Sequence, residues 1–286
     1  MRALVAARPL FSDLPSFVRS WLPPSSFRAF ASASSPSDLD LRNQSRGGLP
    51  RFFSDDLPSR KARSEFWHMA KVLRMKTDDR VELFNGKGGL VEGCIQSIDK
   101  TGVDFIAQED QKVILPQGMQ WQVFAAFGTL KGGRADWLIE KCTELGASSV
   151  TPLLTERSSI ISENRVDRLE RVSFAAAKQC QRLHQMVLSP PIKFSTLLDH
   201  ISKSKLCLVA TAEATPLLNA VNSSAKESSG LLIVGPEGDF TKKEVELMLE
   251  AGGTAVGLGP HRLRVETATI ALLATLVMWS DSQEMI

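Results

Sequence analysis

The sequence lacks a long apolar run. Its most apolar stretch near the C-terminus, Ile270 to Trp279, is broken by Thr275 and falls far short of the roughly 20 residues that a membrane-spanning helix requires, so no membrane span is predicted. Cysteine is scarce: Cys94, Cys142, Cys180 and Cys207 are scattered, with no CxxC pair and no histidine at ligand spacing. This pattern suggests neither a zinc site nor a disulfide framework, predicts no metal, and fits a reducing interior. Charge of one sign is lacking as well. A formal net charge of +2 over 286 residues excludes a globally basic nucleic-acid binder. There is no GxxxxGK[ST] phosphate loop and no GxGxxG, and Gly257-Leu258-Gly259-Pro260 lacks the third glycine of the latter. Nucleoside-triphosphate hydrolysis and dinucleotide-dependent hydride transfer are therefore poorly supported. No repeat with a period of roughly 20 to 50 residues is visible.

What is present begins with composition. Hydrophobic residues make up 43% of the chain, enough to bury a real core in one or two domains. Residues 1–46 stand apart, with Arg2, Arg8, Arg19, Arg28, Arg42 and Arg46, no lysine, and only Asp13, Asp38 and Asp40 as acids, amid many Ser, Ala and Pro. A cationic, acid-poor segment suits organelle import and cannot build a core, so a transit peptide is predicted, with "FRAFASASS" as its cleavage region. The position of Arg28 favours the mitochondrion over the plastid; a disordered tail is the plainer alternative. Removing the +3 of this segment leaves −1 for the remainder, yet residues 51–76 carry Arg51, Arg60, Lys61, Arg63, Lys71, Arg74 and Lys76 against Asp55, Asp56 and Glu65. Such a local patch suits a phosphate backbone, and a solvated basic face is equally common.

From about Arg51 to Leu115 the pattern is strand-like. Alternating runs such as "RVELFNG" and "GCIQSIDKTGVDFIA" are punctuated by Asn85-Gly86, Gly88-Gly89 and Thr101-Gly102 turns, and one helical segment spans roughly Ser64 to Leu73. A small β-rich, barrel-like domain is predicted over 47–118, ending in the linker "LPQGMQ". Beyond it the period changes. Strands "WQVFAAF", "LCLVAT" and "GLLIVG" alternate with helices "RADWLIEKCTELG", "RVDRLERVSFAAAKQCQRL" and "TKKEVELMLEAGG", which predicts an α/β domain with a mostly parallel sheet over 119–286.

In such a sheet, ligands bind outside the carboxyl ends of the strands. The strand "LLIV" ends in Gly235-Pro236-Glu237-Gly238, followed by Thr241 as an N-cap with Glu244 in capping-box position. The strand "TAVGL" ends in Gly259-Pro260. Glycine-rich turns let backbone groups approach a ligand with no Cβ in the way, although a single Gly-Pro turn is usually only a tight turn.

In combination, "GLLIVGPEGDF", "TAVGLGP" and "LRVETATIALL" resemble the three C-terminal loops of the SPOUT methyltransferases, specifically the RsmE family of ribosomal RNA uridine N3-methyltransferases. "KGGRADWLIEKCTELGASSVTPLLTERS" adds Lys141, Glu144, Leu145, Gly146, Glu156, Arg157 and Ser158, and "AAAKQCQR" adds Gln179 and Arg182. "RFF" at 51–53 and "HMAKVLRMKTDDRVELFNG" at 68–86 look like the family's PUA-like RNA-binding barrel. The likeness covers about residues 50–280. It implies a trefoil-knotted α/β domain behind a PUA-like barrel, S-adenosyl-L-methionine as cofactor, small-subunit ribosomal RNA as substrate, and a homodimer. Four positions depart from the pattern: Lys178 stands where Glu is usual, His261-Arg262 where Arg and an aliphatic residue are usual, and Asp239 where Gly is usual.

Carried over residue by residue, the resemblance implies that Gly235, Pro236, Glu237, Gly238, Leu258, Gly259, Leu263, Thr267 and Ala268 hold the cofactor. Arg157 and Arg182 are expected at the target phosphate or uracil oxygen, since a guanidinium offers planar forked donors; the alternative for Arg182 is an exposed helix-end cation. Arg264 and Glu266 are expected either to orient the base or the loop, or to form a salt bridge tying the knot. Arg51, His68, Lys71 and Arg74 are the expected RNA contacts of the first domain. Glu144 is read as a helix brace, His68 and His184 are not assigned as bases, and Trp121, Trp137 and Trp279 are read as core or interface residues. A non-catalytic RNA-binding or ribosome-assembly protein of the same fold is the alternative, as is a transfer RNA base or ribose substrate.

Overall fold

The computed structural model describes residues 48–58, 61–64, 74–99, 102–128, 130–131, 133–158, 161–212, 214–221 and 227–284. The transit-like segment 1–46, His68 and Lys71 lie outside the described residues, as does most of the expected helix at 64–73.

The N-terminal β domain comprises β1 (Arg51–Phe53), β2 (Lys61–Ser64), β3 (Arg80–Phe84), β4 (Gly89–Ile98), β5 (Val103–Ala107) and β6 (Lys112–Val113). Its strand order is β1-β3-β4-β5-β2, with β6 on β4. Alternation dictates its core: Val81 and Leu83 of β3 point inward to Val91, Ile95, Val103 and Phe105, while Glu82 between them faces away. Ser64 belongs to β2 and does not start a helix.

The second domain holds β7 (Gln120–Ala125), α1 (Arg134–Glu144), β8 (Ser149–Leu154), α2 (Glu163–Gln179), β9 (Val187–Leu188), β10 (Ile192–Lys193), α3 (Phe194–Lys203), β11 (Cys207–Ala210), α4 (Leu217–Val221), β12 (Ser229–Val234), α5 (Lys242–Glu250), β13 (Thr254–Val256) and α6 (Val265–Glu284). Its sheet runs β10-β8-β7-β12-β11-β13 with β9 also on β8, and every pairing is parallel. A parallel sheet must be covered on both faces. Strand β7 shows how: Trp121, Val123 and Ala125 join one apolar cluster with α1 and α6, while Phe124 and Ala126 join another with α3 and α5.

Helix α2 ends at Gln179, short of the expected "QRL", because Gln181 takes a left-handed φ of 57° that no helix continues through. Strand β13 lies at the sheet edge beside β11, whereas α6 packs back against β7, β12 and α1. Between them the chain runs beside the loop after β11, where the Gly257 amide donates to Thr215 (2.9 Å) and the Leu217 amide to Gly257 (3.2 Å). Trp121 then seats α6 through an edge contact with Trp279 (6.5 Å between centroids) and an indole bond to Ser280 (3.4 Å). Among the described residues no helix is long and apolar enough to cross a membrane.

Candidate active site

Four loops meet at the carboxyl ends of the parallel strands: those after β7, β8, β12 and β13. Strand β12 sits beside β7, where the connections diverge to opposite sides of the sheet, the position at which open α/β sheets leave a crevice.

The loop after β12 begins with buried Gly235 and Pro236 and turns at exposed Glu237 and Gly238. A capping box closes it. The Thr241 hydroxyl accepts from the Glu244 amide (3.2 Å), and the Glu244 carboxylate accepts from the Thr241 amide (2.8 Å). The same buried carboxylate accepts from the Glu156 amide (3.0 Å), which binds the loop after β8 to the start of α5. Next to that anchor, Arg157 donates to the Gly238 carbonyl (2.7 Å).

In the loop after β13, Gly259 has φ of 102°, a conformation that any Cβ strains. A Cβ on Gly257 would stand 2.9 Å from the Ala214 carbonyl oxygen, so only glycine permits the approach to the neighbouring loop. Leu258 packs on the core, while Leu263 is 38% exposed, an apolar side chain at the surface of a polar loop. Arg262 reaches back and donates to the Glu237 carbonyl (2.9 Å).

The loop after β7 is held from α2, because Arg165 donates to the Gly128 carbonyl (2.9 Å) and to the Leu130 carbonyl. It delivers Arg134 at the first turn of α1. Arg134 Nη1 lies 3.1 Å from Glu237 and 3.5 Å from Glu266, bridging a carboxylate of the loop after β12 and one in the first turn of α6. Glu266 is 6% exposed, and its second oxygen, Oε2, is buried without a hydrogen-bond partner among the described residues. A buried acceptor left unpaired is costly and marks a place for a donor.

The structure thus brings together Gly235, Pro236, Glu237, Gly238 and Arg157, and links them through Arg134 and Arg262 to Glu266 and the loop after β13. Thr267 is exposed on the first turn of α6, and Ala268 packs on the core. Exposed Arg264 follows the same loop, and its side chain makes no hydrogen bond or ion pair among the described residues. Of the two expectations for Glu266, the salt bridge is present, but its partner is Arg134 rather than the neighbouring Arg264.

Two expectations need correction. Arg182 is not a rim cation: it donates to the carbonyls of Thr143 (2.9 Å) and Gly146 (3.2 Å), satisfying the C-terminal end of α1, and burial lowers its pKa. Arg51 does not face RNA, since its guanidinium is buried against Glu82 (2.8 Å). Of the remaining expected RNA contacts, Arg74 is exposed and His68 and Lys71 fall outside the described residues. Glu144 holds Lys141 at 2.9 Å, a brace along α1. Trp121 and Trp279 are buried, whereas Trp137 is 44% exposed.

Arg134 and Arg165 were not singled out by the sequence, and Arg262 stood out only as a departure from the family pattern. Arg134 follows a glycine pair at a helix start, which was a usable signal. Arg165 carries none, because its partners are backbone carbonyls of a remote loop.

An RNA methyltransferase domain matches residues 117–277, and an RNA methyltransferase PUA domain matches residues 62–108. The chain is 31% identical over 225 residues to the ribosomal RNA small subunit methyltransferase E of Bacillus subtilis, covering 74% of this chain and 86% of that protein. The chain belongs to the ribosomal RNA small subunit methyltransferase E family. A solved structure of a probable rRNA-methyltransferase from Porphyromonas gingivalis shares the family fold, with a TM-score of 0.66 and 27% identity over 82% of this chain and 99% of that one. Ribosomal RNA small subunit methyltransferase E from Neisseria gonorrhoeae, solved bound to S-adenosyl methionine, has the same fold (TM-score 0.64, 23% identity, 81% of this chain and 98% of that one). The architecture is accordingly a SPOUT-type α/β methyltransferase domain behind an N-terminal PUA domain.

Proposed function

We propose that this protein transfers the methyl group of S-adenosyl-L-methionine to N3 of a uridine in small-subunit ribosomal RNA. The observation that carries the reading is the joining of the Gly235–Gly238 turn, the Gly257–Arg264 loop and the Arg134 helix start at one end of a parallel sheet. The family relatives named for small-subunit rRNA methylation support it.

The residues present fit the cofactor. Gly259 has open space where a Cβ would stand and a backbone conformation suited to close approach, Leu263 offers an apolar contact, and the orphaned Glu266 oxygen awaits a donor. Gly235, Pro236, Glu237, Gly238, Leu258, Gly259, Leu263, Thr267 and Ala268 would line its site. The bound cofactor supplies an activated methyl group on a sulfonium. The uracil N3–H is weakly acidic, and its loss spreads negative charge onto the flanking carbonyl oxygens. Arg264 and Arg157 are the cations at the mouth that meet this charge or the adjoining phosphate, fixed dipoles and charges being worth most in a preorganised site. Arg134 and Glu266 hold the loops in register for in-line attack. The PUA domain presents an unstacked uridine, as single-stranded recognition requires.

Two further parts belong to this reading. Residues 1–46 direct the protein to an organelle, the mitochondrion first, which a reporter fusion of that segment tests by microscopy. The protein acts as a homodimer, which sedimentation tests.

The deciding experiment incubates residues 47–286 with labelled S-adenosyl-L-methionine and unmodified small-subunit rRNA, then identifies the nucleoside by mass spectrometry. N3-methyluridine is the expected product. Absence of label transfer by a preparation that binds the cofactor would overturn the reading.

A further inference from the structure

We propose that Lys178 is a positioning residue for methyl transfer, clamping the PUA domain to the methyltransferase domain so that bound RNA meets the cofactor loops in one orientation. The proposal rests on the reading above. Lys178 Nζ stands 4.2 Å from the ring centroid of Phe53 in β1 and 4.0 Å from that of Phe174 in α2, and the two rings meet edge to face at 5.0 Å. One cation therefore bridges a ring from each domain.

Further described contacts of this joint lie close by. Leu183, just past α2, enters a pocket of Phe84 and Leu90 with Phe53 and Ile114 packed around it. Backbone bonds from the Gly88 amide to Leu183 (2.9 Å) and from the Gln185 amide to Gly86 (2.8 Å) accompany it, as does a bond between His184 and the Ile114 carbonyl. These contacts cluster at one place and act as a pivot. The cation, seated beside the pivot on the faces of two rings, resists rotation about it. Helix α2 carries that constraint to the site. From Lys178 to Arg165 the helix spans about 20 Å at 1.5 Å per residue, and Arg165 grips the loop after β7 through Gly128 and Leu130. The helix is a strut with the PUA domain at one end and the cofactor-side loop at the other.

A fixed joint removes an ordering cost from RNA binding, because RNA that touches both domains must otherwise freeze their relative motion. Its loss should appear in the KM for RNA, with kcat and cofactor affinity untouched. The test compares wild type with Lys178→Met, which keeps the stem and removes the charge, and Lys178→Arg, which keeps a cation for the two rings. Lys178→Met is expected to raise the KM for rRNA about fivefold, the order expected for losing an exposed cation–ring contact. Lys178→Arg is expected to match wild type. Small-angle scattering of the free proteins should show a larger radius of gyration for Lys178→Met alone. An unchanged KM in Lys178→Met, a Lys178→Arg variant as impaired as Lys178→Met, identical scattering, or cofactor affinity falling in step with KM would each overturn the proposal. Wild-type turnover tests the methyltransferase reading by itself, and the scattering comparison needs no turnover, so the two failures are distinguishable.

Discussion

Arg157 donates a 2.7 Å hydrogen bond to the carbonyl oxygen of Gly238, so the loop after β8 holds the turn after β12 in place. The contact is charge-assisted and exposed, and solvent screening leaves it worth about 1 kcal/mol. Arg157→Ala is therefore expected to weaken S-adenosyl-L-methionine binding about fivefold by calorimetry, with the melting temperature lowered by no more than roughly 2 to 4 °C. Methyl transfer should fall further, because the side chain also faces the site mouth. Wild-type affinity and turnover in this variant would remove Arg157 from the site.

Arg134 and Glu266 form the second link. Glu266 is buried, and Arg134 at 3.5 Å compensates its charge. Removing one partner of a buried pair leaves an uncompensated charge, so Arg134→Met is expected to cost about 2 kcal/mol of unfolding free energy. Glu266→Gln should cost less, and the double variant should be no worse than Arg134→Met alone, as coupled residues behave in a double-mutant cycle. Denaturant titration measures this; strictly additive losses would show that the two side chains act independently.

Glu244 supports both the α5 start and the loop that carries Arg157. Its carboxylate accepts from the Thr241 amide, the Thr241 hydroxyl and the Glu156 amide. Glu244→Ala removes the capping box and strands the Glu156 N–H, at a cost of about 2 kcal/mol. The melting temperature is expected to drop by roughly 4 to 8 °C, with Glu244→Gln retaining part of the loss. Unaltered melting would mean that water replaces all three contacts.

His184 introduces a pH dependence at the joint between the domains. Burial pushes its pKa below the ordinary 6.5; a hydrogen bond with the Ile114 carbonyl opposes this, and the charge of Arg182 adds to the lowering. Between the ordinary value and the depressed one, the unfolded chain binds a proton that the folded chain does not. The contribution to stability is thus intact above the ordinary value and is lost as pH falls through that window. Melting curves from about pH 7.5 down to about pH 5.5 should show a shallower decline for His184→Gln than for wild type. Parallel curves would place the acid sensitivity elsewhere.

The thiols give an independent check on packing. Burial pushes Cys142 and Cys207 up to about 12, whereas Cys94 and Cys180 are only partly buried. A thiol reagent near neutral pH is expected to modify Cys94 and Cys180 in the folded protein, and all four cysteines after denaturation. Rapid native modification of Cys142 would contradict its place on the buried face of α1.

The sequence by itself determined the local elements. Short apolar runs marked β7, β11 and β12, the period of the helical stretches marked α1, α2 and α5, and Thr241 with Glu244 announced a capping box whose hydrogen bonds the structure contains. The glycine loops were legible for the same reason: turn residues act on the few residues around them. What the tertiary structure decided are pairings between remote segments. Arg134 meets Glu266 across 132 positions of sequence, Arg182 turns inward to the end of α1, and Arg51 is buried against Glu82. An arginine's neighbours depend on strand order and helix packing, which place distant segments side by side, and neither leaves a periodic trace around the residue itself. Lys178 shows the division most plainly: its sequence context is an ordinary helix end, and only the meeting of two domains puts two phenylalanine rings beneath it.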